Sequence, residues 1–215
     1  MIVRALCLVL LVLIMHVHRA CADSALSWID CSQAGGAGAQ FFACDTSDGA
    51  DELVLTVTPN TSLGVVTRVR FSILIVSGAD TLPDWWRIGL GGRRPVQILT
   101  SFDNPPFEDG ICRDPWGVDF SGAAIFEPNP DGCTACGRIK VEIEGSTVEP
   151  LLKGERYYIC RMRLTHRHST GPNAVTGCAT PVCIRLEHLY FVLADGSVST
   201  SYGSYSVGWQ TPWCY

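Results

Sequence analysis

The stretch VVTRVRFSILIV (Val65–Val76) decides the fold, because its apolar and polar residues alternate with the period of a β-strand. One face carries apolar side chains and the other begins with polar ones: Val65, Thr67, Val69, Phe71, Ile73 and Ile75 against Val66, Arg68, Arg70 and Ser72. The pattern predicts a strand with one face in the core and the first half of the other face in solvent.

Further runs with the same period follow along the chain. Strands are predicted at Glu52–Thr58, Gly137–Glu144, Arg156–Arg167, Cys183–Leu193 and, as one strand or a pair, Ser197–Trp209. The chain contains 21 Gly and 12 Pro, which mark turns between these runs, and it shows no long amphipathic helix. The sequence therefore predicts an all-β fold, a disulfide-stabilised, two-sheet antiparallel β-sandwich of jelly-roll-like form.

The first residues have the pattern of an export signal. Arg4 precedes the apolar run Ala5–Met15, and Ala20-Cys21-Ala22 has the small-x-small form of a cleavage site. We predict a signal peptide at 1–22 and a single domain at 23–215, with a long ordered excursion at about 80–122. A membrane anchor is disfavoured because the run is about half of the roughly 20 residues that a span needs. Acylation of Cys21 is the other alternative.

The cysteine content also indicates export, to an oxidising compartment. Of eleven cysteines, Cys7 and Cys21 lie in the leader and nine remain after a cut behind Ala22. In an exported chain these thiols are expected to form disulfides. Proximity along the chain favours pairing Cys31 with Cys44 and Cys178 with Cys183. Pairing of the remaining cysteines as Cys133 with Cys136 and Cys112 with Cys160 would complete the set. Cys214 is left over, either as a free thiol or for a bridge to another molecule.

Two close-spaced cysteine pairs admit other chemistry. Cys133 and Cys136, together with Cys178 and Cys183, have the spacing of a four-thiolate zinc knuckle, but export favours disulfides. A thioredoxin-like redox role for Cys133 and Cys136 needs a strand-to-helix context, whereas this pair lies in a loop before a strand. No metal site is predicted here.

An acidic loop is the candidate calcium site. Asp45, Asp48, Asp51 and Glu52 place four carboxylates in eight residues, and hard oxygen ligands of this kind suit Ca²⁺. The glycine stands in the wrong register for a helix-loop-helix calcium site, so a solvated turn is the alternative. No other cofactor is predicted.

Tryptophans in the excursion are the candidate ligand platform. Adjacent residues of an extended segment point to opposite faces, so one of Trp85 and Trp86 is expected to be exposed. Together with Trp116, such a ring would provide a flat surface for stacking a cell-surface glycan. Packing in the core is the alternative interpretation.

Histidines and catalytic motifs give weaker signals. His166 and His168 stand at a strand end and are expected to be solvated, whereas His188 is expected in the core. The sequence has no nucleophile elbow and no phosphate-binding glycine loop. A net charge of -5 without a basic stripe argues against nucleic acid as a partner. No catalytic residue is predicted.

Several segments are similar to a group of uncharacterised exported bacterial proteins that carry a late paired-cysteine segment. The resemblance rests on GCATPVCIRL (Gly177–Leu186), on the region from Tyr157 to Gly171, on CRDPW (Cys112–Trp116), on the strand Ile139–Ile143 and on Val207–Gln210. It implies bacterial export and a shared fold. It transfers no functional residue, because that group has no assigned activity.

These observations predict a secreted, disulfide-stabilised β-sandwich with a non-catalytic structural or binding role, at the cell surface or outside the cell. Self-association as an assembling subunit is one form of that role. A glycan- or calcium-binding module is the alternative, and a secreted hydrolase is the second alternative. No membrane span is expected in the mature chain.

Overall fold

The computed structural model describes residues 22–28, 31, 38–88, 99–101, 112–201, 205–212 and 214. Apart from Ala22, the predicted leader lies outside these ranges. Within them the chain forms eleven strands and two short 3₁₀ turns, at Asp84–Trp86 and Pro130–Gly132. The strands are β1 (Ala22–Trp28), β2 (Ala39–Gln40), β3 (Ala50–Pro59), β4 (Val66–Ser77), β5 (Leu99–Ser101), β6 (Trp116–Pro128), β7 (Cys136–Thr147), β8 (Tyr157–Thr165), β9 (Val182–Leu193), β10 (Val198–Ser201) and β11 (Ser206–Trp209).

Two sheets form from these strands. The smaller sheet has the order β1-β3-β8-β5, and the larger has the order β2-β11-β9-β4-β7-β6, with β10 beside the C-terminal half of β9. All pairs are antiparallel except β2 with β11. Within the described ranges, no helical segment has the length and hydropathy that a membrane span requires.

Apolar residues from both sheets meet in one core. Leu53 and Met162 of the smaller sheet and Ile73, Ile139 and Ile184 of the larger sheet line a common internal space of only about 10 Å³. A space of that size is at the lower limit for a single water molecule, so the two layers are closely packed here. The predicted all-β sandwich is confirmed.

Strand β4 is central in the larger sheet, as its alternation predicts. Val69, Phe71, Ile73 and Ile75 are buried in the core. The first residues differ from the prediction, because Val66 faces the core in place of Val65. A bulge explains this difference: Val66 pairs with Leu193 but Arg68 pairs with Val192, which leaves Thr67 as an extra residue and shifts the alternation by one.

A second bulge lies in β9. Ser72 pairs with His188 and Ile73 with Leu186, so Glu187 is the extra residue on β9. The alternation therefore changes within the strand: Leu186 and Leu189 are both buried, and His188 is exposed rather than in the core as predicted.

The two ends of the sandwich differ. At one end, which we call the closed side, β1 lies against β10 and β11. The Trp28 indole donates a hydrogen bond to the Gly208 carbonyl (3.0 Å), and the hydroxyls of Ser24 and Ser201 are 3.4 Å apart. At the other end, the open side, the three described residues of β5 lie near β6, and none of the described strands pairs with the outer edge of β6.

The described cysteines form four disulfides. Three of them, Cys31–Cys112, Cys44–Cys178 and Cys183–Cys214, link segments far apart in sequence, and the fourth, Cys133–Cys136, is local. The predicted Cys133–Cys136 bridge is present. The predicted pairings of Cys31 with Cys44 and of Cys178 with Cys183 are wrong, because the sandwich brings Cys44 beside Cys178, 134 residues away. Cys214 bonds within the chain to Cys183, so its prediction as a free or intermolecular thiol is wrong.

Cys160 is a free thiol among the described cysteines. It was expected to pair with Cys112, but Cys112 bonds to Cys31. The predicted place of Cys160 on the core face of its strand is correct, because its side chain is fully buried. Burial raises the pKa of this thiol far above its ordinary value, since the thiolate would lose its hydration.

The predicted excursion at about 80–122 is described only in part, because 89–98 and 102–111 lie outside the described residues. Strand β6 begins at Trp116, so the predicted end of the excursion near Gly122 is wrong. Residues 116–122 belong to the larger sheet.

Candidate functional site

The three tryptophans of the predicted ligand platform lie in the interior. Trp85 and Trp86 are 0% exposed and Trp116 is 6% exposed. The expectation of one exposed ring assumed an extended segment, but Asp84–Trp86 is a 3₁₀ turn. The prediction that these rings form a stacking platform for glycans is therefore wrong.

Trp209 organises an aromatic cluster in this interior. It stacks on Trp85 with ring centroids 5.2 Å apart and meets Trp86 edge-on at 5.5 Å and Trp28 at 5.9 Å. Its indole donates a hydrogen bond to the Cys178 carbonyl (2.7 Å). The indoles of Trp28 and Trp85 also donate hydrogen bonds, whereas the buried Trp86 indole has no acceptor among the described residues. Large buried aromatics stabilise a core, and this cluster fills the sandwich near the closed side.

The four carboxylates of the predicted calcium loop do not converge. Asp51 is buried and accepts a hydrogen bond from the Gln40 amide (2.6 Å), whereas Glu52 pairs with Arg161 (3.1 Å). Asp45 and Asp48 are exposed. No three metal-binding side chains form a group in the described part of the chain, so the geometry gives the calcium prediction no support.

His166 forms the main buried polar cluster. Its Nε2 lies 2.8 Å from the Asp51 carboxylate and its Nδ1 lies 2.9 Å from the Asp48 carbonyl oxygen. Phe42 stacks on the imidazole with centroids 3.7 Å apart. The expectation of a solvated His166 is wrong, and the enclosed cluster fastens the start of β3 to the end of β8.

The solvent-facing side of β4, β6, β7 and β9, which we call the outer face, carries rows of paired charges. Arg68 contacts Glu144 (2.6 Å) and Glu142 (3.2 Å), and Arg70 contacts Glu142 (2.7 Å). The alternation of strands β4 and β7 places these opposite charges across from each other. Exposed pairs of this kind add little stability singly, but they neutralise the surface.

One ion pair on the outer face is largely buried. Arg138 and Glu187 have side chains 16% and 13% exposed, and two hydrogen bonds of 2.7 and 3.1 Å join them. Asp131 also contacts Arg138 (2.7 Å). Burial by itself raises the pKa of the Glu187 carboxyl. The hydrogen bonds and positive charge of Arg138, together with a hydrogen bond from Ser72, outweigh burial and hold that pKa below its ordinary value. The bulge at Glu187 provides this geometry.

Two shallow depressions mark the outer face. One, of about 410 Å³, lies between β4, β6 and β7 and is lined by Arg70, Ala123, Ile125, Lys140 and Tyr190. The other, of about 470 Å³, lies at the end of β4 and β9 and includes the side chains of Ser77, Arg185 and Thr211. The first combines apolar and charged groups and reaches the free edge of the larger sheet.

That free edge is strand β6. It pairs with β7 over nine consecutive residues, Phe120–Pro128, and none of the described strands pairs with its other side. Five successive residues, 121–125, are exposed, and the Ile125 side chain is 64% exposed. An exposed, regular and apolar edge offers unpaired backbone groups to another strand.

Little in the amino-acid sequence predicts this free edge. Strand prediction depends on alternation, and Gly122, Ala123 and Ala124 are small residues exposed on both sides of β6. The usable signal was the absence of charge and proline from Phe120 to Phe126, which is typical of a strand that can pair at its edge.

Neither a family model nor a curated protein matches the chain. Among solved structures, a cohesin module from the family 33 glycoside hydrolase of Clostridium perfringens ATCC13124 is similar, with a TM-score of 0.38 and 9% sequence identity. The match covers 88% of this chain and 94% of that module.

Proposed function

We propose that this protein is an exported β-sandwich with a non-catalytic structural or binding role, and that its contact surface is the outer face together with the free edge of β6. The single observation that carries the proposal is the exposed, uncharged run of β6 beside the depression at Ile125. Exposed apolar surface of this kind marks an interaction site in a soluble domain.

Export is supported by the disulfides. Four bridges among the described cysteines fit an oxidising compartment, and the leader has the form of a cleaved signal. Intact-mass measurement of the protein recovered outside producing cells tests this part. Cleavage after Ala22, with four bridges and one thiol, is the expected result.

A non-catalytic role is supported by what the buried polar groups do. His166 is held between Asp48 and Asp51 under the Phe42 ring, and Glu187 is bonded to Arg138. Each of these groups uses its polar atoms inside the fold. Their hydrogen bonds join segments of the fold to each other, which is the geometry of structural contacts rather than of groups directed at a substrate.

Binding is tested with the mature protein and two matched variants. Ile125→Lys alters the outer face, whereas Val148→Lys alters an equally exposed apolar residue outside it, at 65% against 64% exposure. Sedimentation velocity and a pull-down on intact producing cells are the two assays. Wild type and Val148→Lys should associate, with themselves or with the cell surface, and Ile125→Lys should lose association. A wild-type protein that is monomeric and does not bind the producing cells contradicts the proposal.

A further inference from the structure

Strand β6 differs from every other described sheet edge. β2 is an edge of only 2 residues, too short to accept a strand of useful length, and β5 is described over 3 residues. β1 is an edge of 7 residues, but it is covered by β10 and β11. Short or covered edges are the usual protection against strand addition, and β6, with 13 residues, has neither.

The middle of β6 lacks the side chains that normally block an edge. From Ser121 to Phe126 it contains no charge and no proline, and its register with β7 is regular. Ala124 pairs with buried Val141 and so lies on the core side of the sheet, yet it is exposed.

We propose that β6 pairs antiparallel with β6 of a second copy of this chain, so that the two larger sheets become one continuous sheet. This inference rests on the proposed function, because it names the partner of that same contact surface. Antiparallel pairing of identical strands requires a two-fold axis perpendicular to the sheet, centred on one residue. The regularly paired segment is Phe120–Pro128, and its midpoint is Ala124.

Pairing about Ala124 produces a self-complementary contact. Directly opposed residues lie on the same face, so Ala123 meets Ile125 of the second copy on the outer face. Gly122 meets Phe126, where the absent glycine side chain leaves room for the ring. Ser121 meets Glu127 and can donate to its carboxylate. No like charges oppose each other in this register.

The test uses charges at the axis. Ala124→Lys places two ammonium groups opposite each other, and Ala124→Glu places two carboxylates there, so each variant alone should be monomeric. Mixed in equal amounts, the two variants should recover the dimer, because each contact then joins opposite charges. Sedimentation velocity of each variant, of the mixture, and of wild type over a series of concentrations measures this, with Val148→Lys as the control that stays dimeric.

Recovery on mixing also shows that both variants are folded, because an unfolded chain cannot regain a dimer. A wild-type protein that stays monomeric but binds the cell surface overturns this inference and leaves the proposed function standing. Dimers that persist in Ala124→Lys overturn the β6 contact. If both variants are monomeric and their mixture does not recover the dimer, the axis at Ala124 is wrong. Pairing of β6 only with a strand from another protein would also overturn the inference.

Discussion

The closed and open sides of the sandwich use the same kind of element, an edge strand, in opposite ways. On the closed side, β1 covers the sandwich and places Trp28 within 5.9 Å of Trp209 in the aromatic cluster. On the open side, none of the described strands pairs with the outer edge of β6, and small residues are exposed on both of its faces. The closed side stabilises the fold, and the open side is the contact surface that we propose.

The charged outer face belongs to this comparison. Paired charges cover the larger sheet over β4 and β7 and reach β6 at Glu127, which pairs with Lys140, whereas Ala123 and Ile125 lie beside Glu142 and Lys140 as uncharged residues. This change from charged to apolar residues along β6 is what supports the proposed contact surface.

The largest expected effect comes from the disulfides. Removing Cys44–Cys178 by a double substitution with alanine should cost about 5 kcal/mol, because that bridge closes a long loop of the unfolded chain, whereas removing Cys133–Cys136 should cost about 2 kcal/mol. Denaturant unfolding of both variants measures the difference. Equal losses would show that the length of the loop that a bridge closes does not set its contribution to stability.

Next in size is the aromatic cluster. Trp209→Ala should lower the free energy of unfolding by about 3–5 kcal/mol, because it removes a fully buried ring and its hydrogen bond to Cys178. Ile125→Ala, on the open side, should change it by less than about 0.5 kcal/mol in the monomer. Urea unfolding in dilute solution compares the two, and a comparable loss in both would remove the distinction between the sides.

A smaller effect is expected at the buried ion pair. Glu187→Gln should cost about 2 kcal/mol at neutral pH, because Arg138 loses its ionised partner. Since the folded-state pKa of Glu187 is depressed, its contribution is present above its unfolded-state pKa and is lost as pH falls through the folded-state pKa. The variant should therefore lose less stability on acidification than wild type does. Glu144→Gln, an exposed acid on the same face, is the control and should behave as wild type.

The smallest effect concerns Cys160. The reactivity of its thiol reports how well the core excludes a reagent. A thiol reagent should label no described cysteine in the native mature protein, because this thiol is fully buried and burial raises its pKa. In denaturant without reductant, one thiol should react, and peptide mapping should place it at Cys160. Rapid labelling of the native protein would mean that the core opens readily.

Alternation in the sequence was sufficient to predict the central strands. The residues Ile139, Val141 and Ile143 of β7 are buried as expected, and so are Tyr158, Met162 and Leu164 of β8. Local sequence could not predict the bulges at Thr67 and Glu187, because a bulge is defined by the residue count of two paired strands.

Long-range contacts account for the other differences. Nothing near Cys44 indicates Cys178, and nothing near His166 indicates that Asp51 reaches it, because the fold brings these groups together. Trp85 and Trp86 are both buried because their segment turns instead of extending. The free edge of β6 was missed because a strand with small exposed residues has no hydrophobic period to detect.

Hydrogen exchange of the two long edge strands tests the central claim most directly. In dilute solution, amides of residues 24–28 in β1 should exchange slowly because the strand is covered, whereas alternate amides of residues 120–126 in β6 should exchange rapidly because one edge of that strand is open. Equal protection of β1 and β6 in the monomer would contradict the account of a sandwich closed at one side and open at the other.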